Sequence, residues 1–549
     1  MYGLAIDVGT SGIRVQALDL DSSEVIGTAI TLRHPLPGAN VIDHLHFALE
    51  VGRDIAHRLI IDTINSLIKC LEIDASKVER VAVDGNPTQL SLFQNIEIRD
   101  LAFWGEHAMQ DLGFTPPERK GCVVEAESVG LEVNPKAEVY IPPSIRHEVG
   151  GDALAMLVKS GALEKKGISL VTDFGTNAEI ALVVDGEAYT CSAAAGPAIE
   201  GQRIERGMLA SPGAISDINI EPGGSWRCNV LNDQLIAEKG DSVNPASGEV
   251  IDKGPMSGRA LGITGTGVIA LLAIGMRSGL IKLPHINTKS RKIYLQDGVY
   301  FTERDLIEAG KAIGAFRAGH ISLCEEAGIS INDVETSFMA GASGFYVDAN
   351  KSVEVGQIPA CSRKVVQLGN TSLAMAKDIV LDPETFDKLR NLAESMRGKH
   401  IMLATSEVFK NVYILELSYW TEGMPLSIYN EYLRRYGYSP LPRKATNVEI
   451  KRMYARDIPE LGRKGLKVLR EIGLVLVGEF EGCTGCENCV RNCPEGALKI
   501  EDMGGGRFRA LVKTELCDGM ACLRCQQACP QKVFKFSKLI RQLPKKIRN

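Results

Sequence analysis

The stretch Leu4-Ala-Ile-Asp7-Val-Gly9-Thr10-Ser11-Gly12 decides the fold, because its design returns later in the chain as Leu170-Val-Thr-Asp173-Phe-Gly175-Thr176-Asn177. In each copy an apolar strand ends in Asp-x-Gly-Thr and a second apolar stretch follows, which predicts a β-hairpin. One Asp-x-Gly is weak evidence, since the same pattern marks ordinary hairpin turns. Two copies 166 positions apart, each closing an apolar strand, are much stronger evidence and indicate a common purpose.

Both hairpin turns contain the residue types that bind phosphate. Glycine lets backbone N–H groups approach a phosphate closely, and hydroxyl groups can donate hydrogen bonds to its oxygens. Asp7 and Asp173 end the strands, where a carboxylate can position a Mg²⁺-bound water or an attacking water, so they are the candidate catalytic residues. The candidate phosphate-binding residues are Gly9, Thr10, Ser11, Gly175, Thr176 and Asn177.

The first 430 residues or so alternate β-rich apolar runs with helical patterns, which predicts an α/β architecture. The expected strands cover residues 3–8, 14–20, 78–83, 170–173 and 178–184, and the expected helices cover residues 52–71 and 303–327. A further glycine turn, Ile263-Thr-Gly265-Thr266-Gly267-Val268, opens another helix. It is either a phosphate contact at a helix N-terminus or a plain strand-to-helix connection.

The paired hairpins resemble the phosphate-1 and phosphate-2 hairpins of the acetate and sugar kinase/actin/chaperone ATPase superfamily. This resemblance implies a two-lobed fold that clamps ATP and Mg²⁺, and a later glycine loop that contacts adenosine. Phe338-Met-Ala-Gly341-Ala342-Ser343-Gly344-Phe345 matches such a loop, so Gly341 and Gly344 join the candidate ATP-binding residues. Arg14 stands near the first turn in place of a lysine, which leaves open whether it reaches phosphate. No Walker Gly-x4-Gly-Lys-Ser/Thr is present, which excludes P-loop chemistry.

Eight of the fourteen cysteines lie in the last 70 residues, in two runs that each end in Cys-Pro. The runs are Cys483-x2-Cys486-x2-Cys489-x3-Cys493-Pro494 and Cys517-x4-Cys522-x2-Cys525-x3-Cys529-Pro530. The first has the spacing of bacterial ferredoxins, in which three cysteines hold one cluster and the fourth crosses to the other. Two such runs predict two [4Fe–4S] clusters, and therefore electron transfer.

The crossing pattern assigns four thiolates to each cluster. A zinc site is disfavoured because it would prefer paired or mixed Cys/His ligands, and no histidine follows His400. The x4 spacing of the second run inserts Asp518-Gly519-Met520-Ala521, and with the basic tail beyond it this predicts that cluster two faces a partner. Cluster one would use Cys483, Cys486, Cys489 and Cys529, and cluster two would use Cys493, Cys517, Cys522 and Cys525.

Changes in composition predict three parts of the chain. Residues 1–438 would form the two-lobed α/β domain, and residues 439–473 a charged linker that ends in a helix over residues 458–472. Residues 474–549 would form a small α+β double-cluster ferredoxin domain of the bacterial type. Its tail from residue 531 carries seven Lys or Arg and no acid, so it is either a solvated end or a patch that steers an acidic partner.

Length, charge and hydropathy exclude several functional classes. At 549 residues the chain is too long for one core, and its net charge of −6 implies no nucleic-acid partner. The N-terminus lacks a basic n-region, and the longest apolar stretch has about ten residues, so no signal peptide, no membrane span and a cytoplasmic protein are expected. The histidine-rich segment 34–46 predicts either a metal ligand or, as the favoured interpretation, a solvated turn followed by a helix cap.

Over nearly its whole length the sequence resembles the methylamine methyltransferase corrinoid protein reductive activases. The resemblance implies an ATP-dependent iron–sulfur oxidoreductase that returns inactive Co(II) corrinoid to Co(I) in anaerobic methyl metabolism such as methanogenesis. Its implied partners are a methyltransferase corrinoid protein and an unidentified low-potential electron donor. The resemblance is carried by residues 1–11, His34-Pro-Leu-Pro37, Asn40-Val-Ile-Asp-His44, residues 172–179, 193–201 and 262–269, Gly341-Ala-Ser-Gly344, Gly369-Asn-Thr-Ser372, Leu417-Ser-Tyr-Trp420 and both cysteine runs.

Two alternative functions stay open on the sequence. One is an ATP-dependent electron activator of another enzyme, such as a radical dehydratase; such activators typically hold one cluster between two subunits, whereas this chain carries eight cluster ligands. The other is a small-molecule kinase with a redox-sensing tail. In the activase interpretation ATP offsets an uphill electron transfer, in which each ~59 mV costs about 1.4 kcal/mol for one electron. ATP-driven closure of the two lobes is then expected to reorient residues 474–549, which we call the ferredoxin segment.

Overall fold

The computed structural model describes residues 1–38, 40–102, 113–145, 149–175, 177–193, 203–493 and 495–541. Residue contacts divide the chain into two compact units. Unit 1 comprises Met1–Leu154, Ser372–Ser395 and Glu460–Asn549, and unit 2 comprises Ala155–Thr371 and Met396–Pro459. The cysteine-rich C-terminal segment therefore belongs to the same compact unit as the N-terminal hairpin.

The strands are short and mostly apolar. In chain order they are β1 (Tyr2–Gly9), β2 (Gly12–Asp19), β3 (Val25–Thr31), β4 (Val78–Gly85), β5 (Cys122–Glu125), β6 (Glu138–Ile141), β7 (Ile168–Phe174), β8 (Ala178–Val184), β9 (Glu187–Ala193), β10 (Ala214–Ile220), β11 (Trp226–Leu231), β12 (Ala237–Val243), β13 (Val250–Asp252), β14 (Gly262–Ile263), β15 (Ile281–Lys282), β16 (His285–Ile286), β17 (Lys292–Tyr294), β18 (Tyr300–Thr302), β19 (Thr336–Ala340), β20 (Lys364–Gly369), β21 (His400–Ile401), β22 (Glu449–Arg452), β23 (Leu466–Leu469), β24 (Val475–Glu479), β25 (Leu498–Asp502) and β26 (Phe508–Lys513).

The helices alternate with these strands through most of the chain. They are α1 (Val41–Val51), α2 (Arg53–Cys70), α3 (Pro87–Phe93), α4 (Arg99–Ala102), α5 (Gly151–Ser160), α6 (Gly265–Ser278), α7 (Glu303–Glu326), α8 (Gly341–Tyr346), α9 (Ala349–Val355), α10 (Thr371–Leu381), α11 (Glu384–Met396), α12 (Glu407–Glu422), α13 (Leu426–Arg435), α14 (Asn488–Arg491), α15 (Gly519–Cys522), α16 (Arg524–Gln527) and α17 (Phe536–Arg541). Short 3₁₀ turns cover Ala75–Lys77, Ala126–Val129, Ala162–Glu164, Gln296–Gly298, Ile331–Asp333, Arg397–Lys399 and Thr514–Leu516.

Unit 1 is built on a seven-stranded sheet with the order β23-β3-β2-β1-β4-β6-β5. The hairpin β1–β2 and its neighbour β3 are antiparallel, whereas β4 runs parallel to β1 and β6 runs parallel to β4. Buried residues run without a break along β1 from Gly3 to Val8, as expected for a strand covered on both faces. The register places Asp7 opposite Arg14 on β2 and beside Asp84 on β4.

Unit 2 repeats this topology in a second seven-stranded sheet with the order β21-β9-β8-β7-β19-β20-β22. Its hairpin β7–β8 and the next strand β9 are antiparallel, and β19 and β20 follow in parallel. Asp173 lies opposite Glu179 on β8 and beside Ala340 on β19, so it occupies the place that Asp7 has in unit 1. The expected α/β fold with two related sheets is confirmed, and unit 2 adds a five-stranded sheet, β13-β12-β11-β10-β14.

The C-terminal segment has its own three-stranded antiparallel sheet, β24-β26-β25. A turn that contains Gly504-Gly505-Gly506 joins β25 to β26. Leu476, Phe480 and Val512 are buried in one continuous hydrophobic cluster with the side chains of β1, β2 and α2. Because the two parts share this core, the ferredoxin segment is an integral part of unit 1.

The expected helix over residues 458–472 is wrong. The segment instead contains β23, which pairs in parallel with β3 and completes the edge of the sheet in unit 1. Gly462 and Gly465 adopt positive φ angles of 79° and 69°, which interrupt any helix there. Of the charged residues in this segment, Lys467 is an exposed side chain of the edge strand, where charge discourages aggregation.

The other predicted elements agree closely with the structure. The helix expected over residues 303–327 is α7, which begins with a capping box formed by Thr302 and Asp305. The expected helix over residues 52–71 is α2. None of the described helices is both long enough and apolar enough to cross a membrane.

Candidate functional site

The first Asp-x-Gly-Thr hairpin forms a tight turn between β1 and β2. Asp7 is buried and lies 3.3 Å from a guanidinium nitrogen of Arg14, which also donates a hydrogen bond to the carbonyl of Gly12 at 3.0 Å. Thr10 Oγ1 accepts a hydrogen bond from Asn86 Nδ2 at 3.0 Å. The Arg14 side chain therefore contacts Asp7 and the backbone of the hairpin turn within the chain.

Two further carboxylates lie near Asp7, the buried Asp84 and the partly buried Asp152, and sequence reasoning missed both. Asp84 ends β4 beside Asp7 and accepts a hydrogen bond from the N–H of Gly85 at 2.8 Å. Burial raises the pKa of Asp152 to about 6, and the charge of Asp7 contributes to the rise. The signal in the sequence was an apolar strand that again ends in Asp-Gly, at Asp84-Gly85.

The second hairpin meets the predicted adenosine loop within unit 2. Gly341 follows β19 with a φ of 77°, and a Cβ there would collide with Asp173 Oδ1. A Cβ on Gly344 would lie 2.7 Å from the ring of Phe174. The structure therefore brings Gly341 against Asp173 and Gly344 against Phe174 of the same hairpin, while Thr176 lies outside the described residues.

A small cavity lies behind the second hairpin. Its lining includes Phe174, Thr266 and Ser343, which come from the hairpin, the start of α6 and α8. Thr264 caps α6, accepting a hydrogen bond from the N–H of Gly267 at 3.1 Å, and Thr266 Oγ1 donates to the carbonyl of Ser216 at 2.8 Å. The glycine turn at residues 263–268 therefore begins a helix beside the site, as the sequence indicated.

The four thiols assigned to cluster one surround a single pocket. Cys483, Cys486, Cys489 and Cys529 line it together with apolar side chains that include Phe480 and Phe508. Within the described part of the chain, no three or more His, Cys, Asp or Glu side chains are gathered tightly enough to hold a single metal ion. Four cysteines around an apolar pocket fit an iron–sulfur cluster, whose sulfur ligands are spread around a cube.

The four thiols assigned to cluster two are also neighbours. The charge of Cys493 is among the causes that raise the pKa values of Cys517, Cys522 and Cys525, although burial is the main cause for each. Burial raises the pKa of Cys525 to about 12. Thiolates are therefore costly in this site without a compensating cation, which bound iron would supply.

Backbone amides donate hydrogen bonds to sulfur atoms in this region. The N–H of Gly519 donates to Cys517 Sγ at 3.4 Å, and the N–H of Ala497 donates to Cys493 Sγ at 3.3 Å. Such hydrogen bonds stabilise negative charge on the sulfur atoms and are one of the means by which proteins set cluster potentials.

Part of the insertion at residues 518–521 is covered, since Gly519 is buried and Asp518 and Met520 are partly buried. The residues after β3, which we call the junction segment (residues 33–38), cover it from within unit 1. The N–H of Gly38 donates to the carbonyl of Cys517 at 2.7 Å, and a Cβ on Gly519 would lie 3.3 Å from Gly38. The exposed cysteine is Cys486, which belongs to cluster one.

The histidine-rich segment is a buried turn, so the expectation of a solvated one is wrong. His34 and His44 are both buried, and their rings stack with centroids 4.2 Å apart. The expected helix cap is present, because Asn40 Oδ1 accepts a hydrogen bond from the N–H of Asp43 at 2.9 Å at the start of α1. In the basic tail, Phe536 and Leu539 of α17 are buried in the core of unit 1, and residues 542–549 lie outside the described residues.

Comparison with known protein families divides the chain in the same order as its motifs. Residues 2–165 match the family described as the RACo middle region, and residues 167–430 match the C-terminal domain of RACo, the ASKHA domain. Residues 482–533 match the 4Fe-4S dicluster domain. One hairpin therefore lies in each of the first two matched regions, and all eight cysteines of the two runs lie in the third.

This chain is similar to two curated proteins and to several solved structures, among them a reductive activator. The [Co(II) methylated amine-specific corrinoid protein] reductase of Methanosarcina barkeri is 47% identical over 521 residues, which cover 94% of this chain and 95% of that protein. The corrinoid activation enzyme RamQ of Eubacterium limosum is 26% identical over 444 residues, covering 76% and 70% respectively. The solved structure of a reductive activator for corrinoid, iron–sulfur protein has a TM-score of 0.60 at 26% identity. The match covers 76% of this chain and 66% of that one, which is just under two thirds of the solved chain's length.

Proposed function

Because this chain belongs to the family of corrinoid-protein reductive activators, we propose that it is an ATP-dependent reductase that returns the Co(II) corrinoid of a methyltransferase corrinoid protein to Co(I). The corrinoid cobalt is the substrate and gains one electron. An external low-potential donor loses that electron, and ATP hydrolysis makes the transfer favourable. The sequence similarity favours a corrinoid protein of methylamine metabolism as the partner.

One observation carries the proposal. Both an Asp-x-Gly-Thr hairpin and the eight-cysteine segment lie in unit 1 and share its hydrophobic core. A nucleotide that binds the hairpin therefore acts on the same packed body that holds the redox groups, and packed interiors transmit displacements. A kinase with a loosely attached redox tail would need no such shared core.

The residues of the two hairpins would bind ATP and Mg²⁺. Gly9, Thr10 and Ser11 supply backbone N–H and hydroxyl donors to phosphate in unit 1. Gly175, Thr176 and Asn177 are their counterparts in unit 2, where Gly341 lies beside Asp173 and Gly344 beside Phe174, and both glycines would contact the nucleoside. Asp7 and Asp173 would orient Mg²⁺-bound water or the attacking water.

The eight cysteines would hold two [4Fe–4S] clusters, which supply one-electron transfer at low potential when bound. Cys483, Cys486, Cys489 and Cys529 are the ligands of the first, and the remaining four are the ligands of the second. The apolar side chains Phe480 and Phe508 line the first site, while its ligand Cys486 is exposed. Exposure to water is one of the factors that set cluster potentials.

The direct test is anaerobic reduction of a Co(II) corrinoid protein by the holoprotein. With a reductant and MgATP the Co(I) spectrum should appear, and without ATP it should not. Reduction that is independent of ATP, or phosphate transfer to a small-molecule acceptor in place of cobalt reduction, would contradict the proposal.

Matched variants separate the two halves of the site. Asp173→Asn should abolish ATP-dependent reduction while iron content stays normal, whereas Asp185→Asn on the β8–β9 turn of the same unit should behave as the parent protein. Cys525→Ser should lower iron content and abolish reduction, whereas Cys70→Ser at the end of α2 should change neither. Equal effects of Asp173→Asn and Asp185→Asn would contradict the assigned role of Asp173.

A further inference from the structure

The proposed function assigns no role to the junction segment (residues 33–38). It connects β3 to α1, and it contacts the ferredoxin segment at three points. The N–H of Gly38 donates to the carbonyl of Cys517 at 2.7 Å, and Thr514 Oγ1 donates to the carbonyl of Pro35 at 2.8 Å. Arg33 makes the third contact, an ion pair with Glu495 and a longer one with Asp518.

The two acidic partners of Arg33 lie next to cluster-two cysteines in the chain. Glu495 is two residues after Cys493, and Asp518 directly follows Cys517. Arg33 binds Glu495 closely, while its other guanidinium nitrogen lies 3.7 Å from Asp518. All three side chains are largely buried, so water screens their charges only weakly.

The other end of this connection is the first phosphate hairpin. The N–H of Ile13, just after the turn, donates to Thr31 Oγ1 at 2.9 Å. A Cβ on Gly12 would lie 3.0 Å from the carbonyl oxygen of Thr31 and 3.7 Å from that of Arg33. The backbone around Arg33 is therefore in contact with the hairpin turn, while its side chain reaches the ferredoxin segment.

The junction segment is packed too tightly to absorb a displacement by itself. The ring of His34, within the segment, stacks on the ring of His44 in α1, and His44 Nε2 lies 3.2 Å from the carbonyl of Gly38. The N–H of Leu36, a fully buried residue, donates to His34 Nδ1 at 3.1 Å. A movement of the hairpin turn is thus passed to Arg33, because close-packed interiors do not deform continuously.

We propose that Arg33 is a positioning residue that couples nucleotide occupancy of the first hairpin to the reduction potential of cluster two. A nearby cation stabilises the extra negative charge of a reduced cluster, and nearby carboxylates destabilise it. In the structure Arg33 is paired with both carboxylates. A displacement of the turn by nucleotide phosphate weakens this pairing, which lowers the potential and makes the cluster a stronger reductant.

This inference rests on the proposed function only for the identity of the nucleotide and of the clusters. Its test is a redox titration of the anaerobic holoprotein, followed by electron paramagnetic resonance, with and without MgATP. The signal of cluster two is the one altered by Cys525→Ser. In the parent protein MgATP should lower its potential by about 59 mV or more, which is a tenfold change in the one-electron equilibrium.

Variants of Arg33 distinguish positioning from simple structural support. Arg33→Gln should lower the potential without nucleotide and remove the further shift with MgATP, whereas Arg33→Lys should keep part of the shift because it keeps the charge. The matched control is Arg491→Gln. Arg491 donates a hydrogen bond to the carbonyl of Cys486 at 2.8 Å, beside cluster one, so its loss should leave the cluster-two shift intact.

A second variant perturbs the connection from the hairpin end. Gly12→Ala places a methyl group against Thr31, so it should lower the cluster-two potential without nucleotide although it lies outside the ferredoxin segment. An absent MgATP shift in a parent protein that reduces Co(II) corrinoid would overturn the inference and leave the proposed function standing. A full shift retained in Arg33→Gln would overturn it as well. A normal shift without any cobalt reduction would contradict the proposed function instead.

Discussion

Acidification should destabilise unit 1 through His34 and His44, which are buried and neutral. Burial lowers the pKa of His44 from 6.5 to about 4, and it holds the pKa of His34 well below its usual value, with the neighbouring His44 adding to the effect. The hydrogen bond to the carbonyl of Gly38 acts in the opposite direction and raises the pKa of His44, but burial is the larger effect. Gln89 Nε2 lies 2.7 Å from His44 Nδ1, so an added proton there would face another donor.

The size of the effect follows from proton linkage. Between the two pKa values of His44 the unfolded chain binds a proton and the folded protein does not, so stability is complete above about pH 6.5 and falls as the pH falls. From about pH 7 to about pH 5 the free energy of unfolding should decrease by about 2 kcal/mol from His44 alone. His34 adds to this decrease in the same direction. Such a loss is a large part of a typical stability of about 5–15 kcal/mol.

The assay is hydrogen exchange with mass spectrometry across a urea series at both pH values, because peptides from β1 and β24 report on unit 1 and peptides from β7 report on unit 2. In His44→Gln the decrease for unit 1 should be smaller than in the parent protein by about 2 kcal/mol. Acid loss of the clusters affects both proteins alike and cancels in the comparison. His285→Gln is the control, since that side chain is 57% exposed. An equal decrease in His44→Gln and the parent protein would refute the reasoning.

Two substitutions test whether the ferredoxin segment and β23 belong to unit 1. Leu476→Ala should destabilise unit 1 by about 3 kcal/mol, because the side chain is fully buried, and hydrogen exchange should increase in β1 as well as in β24. The control is Val475→Ala, which should have little effect because this side chain is 42% exposed. A response confined to peptides of the ferredoxin segment would contradict the shared core. Gly462→Ala should release β23 from β3, because a Cβ there would collide with the backbone of Ile26. Gly504→Ala is the matched control, since both glycines have a φ of 79° and a Cβ on Gly504 meets nothing within 4 Å. Thermal unfolding should show a lower melting temperature for Gly462→Ala than for Gly504→Ala. Equal melting temperatures would mean that only backbone strain matters.

The elements with strong local signals were predictable from the sequence. Asp7 and Asp173 were placed at the ends of apolar strands by alternation of residue type and by turn chemistry, and both strands are present. The glycines at 341 and 344 were predicted only through a resemblance, and the structure explains them by their contact with Asp173 and Phe174.

Elements that depend on distant partners were not predictable. β23 covers only four residues and most of them are exposed, so no local alternation of buried and exposed positions marks it as a strand; pairing with the open edge of β3 makes it one. Asp84 and Asp152 escaped notice for a similar reason. A single carboxylate is common in any sequence, and its meaning appears only when strand pairing or helix packing places it near Asp7.

The sequence by itself determined that the chain repeats one hairpin design and carries the cysteines for two clusters, because turn geometry and cluster ligation depend on residues that are close in the chain. Only the tertiary structure decided that the ferredoxin segment shares a core with the first hairpin, and that the second-cluster insertion is covered by the junction segment. These contacts join residues more than 450 positions apart, such as Arg33 and Glu495. Burial of apolar surface selects such contacts, and burial is a property of the whole packed unit.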